Sequence, residues 1–279
     1  MAETPTTERF EFTGGAGAEL AAVLHRPSDG TTVIGAALLC HCFTCSKDLF
    51  TTTRIAKGLA AGGYLTLAFD FTGLGDSGGE LADTTVATNV SDITAAAVAL
   101  IRRGAGPCVL VGHSLGGAAA VLAASRLHTV AQVVAVASPA SVAHVQHLFS
   151  DDALEQIRSE GLGEVRIGPK PVRVGRDFLD DLHRHDVAAA AASLGRPMLV
   201  VQAGADTVVG RDQTETLARA GSATLHTIAG ADHLFTDRRH SDELVLTILD
   251  WLTGVRARGR ADRRANPPPY GRGRGPSGP

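Results

Sequence analysis

Unbroken apolar runs alternate along this chain with stretches whose apolar residues recur every three or four positions. The runs fall at residues 32–40 (TVIGAALLC), 65–69 (LTLAF), 108–111, 132–136, 198–201 and 224–228. A run without polar alternation reads as a strand covered on both faces, as in a parallel sheet lying between helices. The periodic stretches, 50–61, 84–103, 116–127, 211–220 and 242–252, predict amphipathic helices. Asp83 is placed to cap the second of them, and Ser241 or Asp242 the last. Ahead of the first long run, residues 1–7 are polar and predict a loose start. Residues 10–13 and 19–25 predict a hairpin around Gly14-Gly15-Ala16-Gly17. A hairpin followed by strand–helix alternation implies the α/β class, with a mostly parallel, eight-stranded, doubly wound sheet and helices on both faces.

One segment breaks the alternation. Residues 141–192 pass through a polar helix (151–159), then GEVRIGPKPVRVG, then DFLDDLHRHD. The middle piece predicts a small hairpin turning near Gly168-Pro169. The whole segment is expected to form a cap over the carboxyl ends of the strands, where open α/β sheets bind ligands. A length of 279 residues suits one large domain, placed here at 1–254. The remainder, 255–279, is rich in Arg, Gly and Pro, cannot supply a packed core and is expected to be disordered.

Charge and cysteines narrow the function class. The formal net charge is −3, yet the tail holds seven arginines against the single acid Asp262, so the body is more acidic than the whole. An acidic body argues against nucleic acid as partner. Of four cysteines, Cys40, Cys42 and Cys45 crowd into one short stretch, unlike a secreted disulfide framework. The first residues, MAETPTTERFEF, lack the basic-then-apolar pattern of a signal peptide. No apolar run is long enough to span a membrane. The expectation is a cytoplasmic protein acting on a small molecule.

The chemistry starts at Gly112-His113-Ser114-Leu115-Gly116-Gly117, which follows the apolar run 108–111 and precedes AAAVLAASRL. Strand, G-x-S-x-G and helix is the context of a nucleophile elbow, a strained turn that needs small residues two positions either side of the serine. Ser114 then stands at a helix N-terminus, where backbone amides and the helix dipole favour developing negative charge.

A serine hydroxyl needs a general base held by a carboxylate. On a sheet carrying such an elbow, acid and base follow the nucleophile in that order. His233, in Gly230-Ala-Asp-His-Leu-Phe235, lies after the last strand and before the last helix, where the base belongs. His226 falls within the strand itself and reads as structural. Asp206, in the loop after residues 198–201, is the matching acid. Asp232 is its rival, but a residue adjacent to His233 is poorly placed to reach that imidazole. Asp212 fits a helix cap.

The oxyanion of the tetrahedral intermediate needs two N–H donors. Leu115 supplies one by position. Phe43, or alternatively Cys42, supplies the other from the loop His41-Cys42-Phe43-Thr44. Cys42 and Cys45 also form a C-x-x-C. Three roles compete for them: zinc ligands, a redox pair modulating the loop, or small packing residues beside the site, which is the plainest. A zinc site needs four ligands of its own, and crowding onto this loop disfavours it.

HCFTCSKD (41–48), FDFTGLGDSGG (69–79), GHSLGG, RDFLDDL (176–182), GADTVVG and GADHLF together resemble one family. It is the bacterial α/β-hydrolase domain found fused ahead of an osmotically inducible protein C domain, within the serine aminopeptidase-like and acyl-hydrolase branch of the superfamily. The resemblance covers about 10–252. It implies the roles of nucleophile, acid and base for Ser114, Asp206 and His233, an oxyanion hole at Phe43 and Leu115, and a structural turn at Asp70–Ser77. Residues 253–279 hold no counterpart of the peroxidase module, so its activity is not expected. The expected activity is hydrolysis of a small ester or thioester without metal or organic cofactor, with His144, His147 and Arg173 at the mouth. A peptidase or amidase using the same triad, and a non-catalytic binding protein of the same fold, remain the alternatives. Haloalkane-type chemistry is disfavoured because the elbow carries Ser rather than Asp.

Overall fold

The computed structural model describes residues 6–106, 108–167 and 171–265. The chain opens with a hairpin of β1 (Thr6–Thr13) and β2 (Glu19–Arg26), whose turn passes through Gly17 at φ 91°. Thr6 and Thr7 thus belong to a strand rather than to a loose start. Then come β3 (Gly35–Cys40), α1 (Phe50–Ala61), β4 (Tyr64–Phe69), α2 (Val86–Ile101), β5 (Cys108–His113), α3 (Leu115–Ala124) and β6 (Val130–Val136). The inserted segment follows as a 3₁₀ turn (Val142–Leu148), α4 (Asp151–Glu160), the antiparallel hairpin β7 (Leu162–Arg166) and β8 (Pro171–Gly175), α5 (Arg176–Leu182) and α6 (Val187–Ala192). The predicted turn at Gly168-Pro169 lies outside the described residues. The chain returns through β9 (Met198–Ala203), α7 (Arg211–Ala220), β10 (Thr224–Ile228) and α8 (Arg238–Ala265).

The main sheet has eight strands in the order β1-β2-β4-β3-β5-β6-β9-β10. β2 runs antiparallel to β1 and β4, and every other pair is parallel. This is the predicted α/β-hydrolase architecture. The unbroken apolar runs have the predicted cause, because alternate residues serve two cores. Ala36 and Leu38 of β3 pack with α2 and α3, while Ala37 and Leu39 pack with α1 and α8. Among the described residues no helix is long and apolar enough to cross a membrane.

Three expectations shift. Asp83 does not cap α2, because it sits in a 3₁₀ turn (Leu81–Asp83). The cap is Thr85, whose hydroxyl accepts from the Thr88 N–H at 3.1 Å while Thr88 returns the bond to the Thr85 N–H, satisfying two otherwise orphaned donors. Neither Ser241 nor Asp242 starts the last helix. Asp237 precedes its first turn and accepts from the Arg239 N–H at 2.7 Å. α8 also continues to Ala265, past the predicted domain end at 254. Arg and Ala are among the strongest helix formers, so this basic stretch extends the helix without needing a core of its own. The rest of the predicted tail lies outside the described residues.

Candidate active site

β5 ends at His113 and α3 begins at Leu115, leaving Ser114 alone in the turn with φ 54° and ψ −125°. Few non-glycine residues adopt such angles unless the surroundings enforce them. Here they do. A Cβ on Gly112 would lie 2.4 Å from the Gly116 carbonyl oxygen, and one on Gly116 would lie 2.1 Å from that of His41. Both positions must be glycine for strand, helix and neighbouring loop to meet this closely. The Ser114 N–H donates to the Val136 oxygen at 2.9 Å, locking the turn to β6. Leu115, the first residue of α3, has an amide that helix geometry leaves without an intrahelical acceptor.

The loop after β9 carries Asp206 and the loop after β10 carries His233. His233 Nδ1 lies 2.8 Å from Asp206 Oδ2, and His233 Nε2 lies 3.0 Å from Ser114 Oγ. With Nδ1–H donating its hydrogen bond to the carboxylate, Nε2 is the acceptor for the serine hydroxyl. The other Asp206 oxygen accepts from the Val208 and Val209 N–H groups at 2.8 and 2.9 Å. Burial pushes the Asp206 carboxyl up, but His233 and these two amides outweigh it and hold the group below the usual carboxylate range. Asp232 turns away and accepts from the amide and hydroxyl of Thr236. Asp212 is not a cap: it lies in the first turn of α7, whose cap position is Gly210. His226 is exposed on β10, apart from the site.

Sequence reasoning missed His113. Its Nε2–H donates to the His233 carbonyl oxygen at 2.7 Å, and the two rings lie 5.0 Å apart. Only the intervening position of G-x-S-x-G marks it in the sequence, and that motif leaves the position unspecified. Burial, and then the nearby His233, depress its pKa from 6.5 to about 3. The folded protein therefore keeps His113 neutral while the unfolded chain takes up a proton below its own pKa. Stability from this group is complete above pH 6.5 and is lost as pH falls towards 3. Between pH 6 and 4, the unfolding free energy of His113→Gln is expected to fall less steeply than wild type by about 1.4 kcal/mol per pH unit. Urea titrations of both proteins across that range check it.

The loop between β3 and α1 forms the facing wall. The His41 ring donates from Nδ1 to the Cys42 oxygen at 2.8 Å and accepts at Nε2 from the Phe71 N–H at 3.2 Å. At the other end the Lys47 N–H and ammonium donate to Asp70 at 2.6 and 2.7 Å, and the ammonium also reaches Asp76 at 2.6 Å. Burial works against the Lys47 charge, but the carboxylates of Asp70, Asp76 and Asp48 overcome it and raise its pKa. The Asp70–Ser77 turn is thus an anchor for this loop. It needs Gly75 at φ 56°, where a Cβ would lie 2.1 Å from Asp70 Oδ2. Cys42 and Cys45 are joined in a disulfide, whereas Cys40 and Cys108 are free and buried. The pair is therefore not two independent packing residues, and the bond consumes two of the thiolates a zinc site would use.

Ser114, His233, Phe43, Leu115 and the disulfide all line one cavity of about 620 Å³. Its remaining walls are mainly apolar, with Leu49, Leu74, Pro139, Leu148, Ile167 and Val208 among them, and among the described residues no Lys, Arg, Asp or Glu side chain lines it. Leu148 and Ile167 belong to the inserted segment, which thus contributes to the cavity wall. Of the three residues expected at the mouth, only His144 lines the cavity, fixed by its Nε2–H to the Val208 oxygen at 2.8 Å. His147 is exposed behind it, with ring centroids 5.3 Å apart. Arg173 lines a separate polar cleft beside the hairpin, because its strand position points it away from the site.

A family model described as the alpha/beta hydrolase family matches residues 37–245. The chain is similar to the esterase domain of a Rhodothermus marinus protein, at 31% identity over 88% of this chain and 97% of that one, with a TM-score of 0.71. It shares its fold with Est1E from Butyrivibrio proteoclasticus, solved with ferulic acid bound, at 18% identity, 89% and 99% coverage and a TM-score of 0.77. It likewise shares it with mouse alpha/beta hydrolase domain-containing protein 10, at 18% identity, 88% and 99% coverage and a TM-score of 0.71. No curated protein matches. Sheet order, elbow and family match agree, and this chain belongs to the alpha/beta hydrolase family.

Proposed function

We propose that the protein is a serine hydrolase that cleaves an uncharged ester or thioester through an acyl-enzyme on Ser114. The observation that carries this is the continuous chain from Ser114 Oγ through His233 to Asp206, at 3.0 and 2.8 Å. The Ser114 hydroxyl passes its proton to His233 Nε2 as its oxygen attacks the substrate carbonyl carbon. The carbonyl oxygen becomes an oxyanion held by the Leu115 and Phe43 N–H groups. His233 then returns the proton to the departing alkoxide or thiolate. Water, deprotonated by His233, attacks the acyl-enzyme, and the carboxylic acid leaves as Ser114 regains its proton.

The apolar cavity favours an uncharged acyl group, since a carboxylate or ammonium buried there would find no oppositely charged side chain among the described lining residues. The 31% identical esterase domain supports ester over amide cleavage. Kinship with the hydrolase domains that precede an osmotically inducible protein C domain is part of the same proposal, carried by HCFTCSKD.

A fluorophosphonate probe is expected to label the folded protein one to one, at the peptide containing Ser114. No labelling would remove the serine-hydrolase reading. Among p-nitrophenyl esters, kcat/KM is expected to rise about fourfold per CH₂ from acetate to butyrate, the equivalent of about 0.8 kcal/mol each. A preference for the negatively charged hemisuccinate would remove the uncharged substrate class.

A further inference from the structure

We propose that the Cys42–Cys45 disulfide is a positioning element of the oxyanion hole, so that kcat depends on the redox state of this pair. The proposal rests on the serine-hydrolase reading above. The bond closes a four-residue ring whose interior residues are Phe43 and Thr44. Phe43 is the residue whose amide faces the intermediate in that reading. Thr44 holds φ at 60°, in the left-handed region that a β-branched residue avoids. Such a conformation persists only where its surroundings over-determine it. Three ties do so here: the disulfide, the Cys45 N–H to the Cys42 oxygen at 3.2 Å, and the Thr44 hydroxyl to the Ile167 oxygen at 3.1 Å. Beyond the ring, His41 Nε2 accepts from the Phe71 N–H and the Lys47 N–H donates to Asp70, so the loop ends are held separately. Loss of the disulfide therefore removes the one covalent tie on the segment that carries the Phe43 amide, leaves it to hydrogen bonds alone, and leaves the loop ends in place.

The bond has little else to do. A ring this short restricts few conformations of the unfolded chain, so it adds less to global stability than a disulfide closing a long loop. It is reachable, however. Both cysteines line the active-site cavity, and Cys45 is only half-buried. A small dithiol can deliver the reduction. Its thiolate attacks one sulfur, the Cys42–Cys45 bond breaks, and a mixed disulfide forms. The reductant's second thiol then closes on its own sulfur, leaving two protein thiols and a cyclic disulfide, with two electrons and two protons transferred. In the reduced state the Cys45 sulfur gains a proton. The Phe43 carbonyl oxygen, 3.6 Å away, is an acceptor within its reach.

The test compares the oxidised protein, the protein reduced by dithiothreitol and the Cys42→Ser/Cys45→Ser double variant. State is verified by thiol counts after denaturation: two in the oxidised form and four in the reduced, of the four cysteines present. The expected result is a kcat for p-nitrophenyl butyrate about ten- to a hundredfold lower in the reduced protein and in the variant, with KM within about threefold. The melting temperature is expected to change little. Reoxidation with diamide should restore kcat to the wild type and leave the variant unmoved. Equal kcat in both states, or a loss confined to KM, overturns the proposal, as does a fall in kcat that only tracks a fall in melting temperature. Fluorophosphonate labelling of the oxidised form keeps the two readings apart. Labelled Ser114 with redox-indifferent kcat rejects the positioning role alone, whereas no labelling in either state rejects the serine mechanism beneath it.

Discussion

Ser114→Ala is expected to lower kcat for a p-nitrophenyl ester by about 10⁴- to 10⁶-fold, the range found where a triad nucleophile is removed. The variant keeps His233, Asp206 and both proposed oxyanion donors, so residual turnover about 10³-fold above water is expected from binding and electrostatics alone. The loss should not come from misfolding. The Ser114 side chain makes its hydrogen bond to His233, and alanine tolerates φ 54° no worse than serine does. Unfolding free energy is expected to stay within about 1 kcal/mol of wild type. Turnover and urea denaturation, measured on the same preparation, check both halves. A variant that is folded and retains more than a tenth of wild-type kcat would mean that another group is the nucleophile.

The second large effect is expected at Asp206→Asn, with kcat at neutral pH reduced about 10⁴-fold. The direction follows from two backbone groups. The Val208 and Val209 N–H donors face one side-chain oxygen, so an asparagine there must keep its carbonyl towards them. Its NH₂ then occupies the place of Oδ2 and faces His233 Nδ1. Two donors cannot share that contact, so the ring proton moves to Nε2, the atom that has to accept from Ser114. Geometry is preserved and the base is lost. Steady-state kinetics across the neutral range check it, with the serine still labelled slowly by a fluorophosphonate. A loss below tenfold would move the acid's role to another carboxylate.

The sheet was legible because its strands are covered on both faces, which leaves unbroken apolar runs that few other arrangements produce. The positions of Ser114, Asp206 and His233 were legible because each lies where an apolar run ends, and the carboxyl ends of a parallel sheet converge. Other features depend on contacts between distant segments. His113 shows only as an unspecified letter inside a motif, and its partner is a main-chain carbonyl 120 residues away. The choice of Thr85 over Asp83 as cap turns on a local 3₁₀ turn that composition does not encode. The extension of α8 was hidden because Arg- and Gly-rich sequence reads as solvated chain, although its Arg and Ala residues also suit a helix. The spacing of Cys42 and Cys45 allowed thiols, metal ligands or a bond, and the loop conformation decides among them.

The proposed nucleophile and its proposed base follow strands of unequal security. Ser114 follows β5, which is flanked by β3 and β6 in the middle of the sheet. His233 follows β10, the outermost strand, which pairs with β9 alone and has four of its five residues exposed. Edge elements with little buried surface open at lower free energy than central ones, in excursions that never reach global unfolding. Each such opening carries the imidazole away from a serine that has not moved. Thermal inactivation is therefore expected to begin as a fraying of this margin, ahead of the sheet as a whole, so that activity followed through a melt is lost before global unfolding.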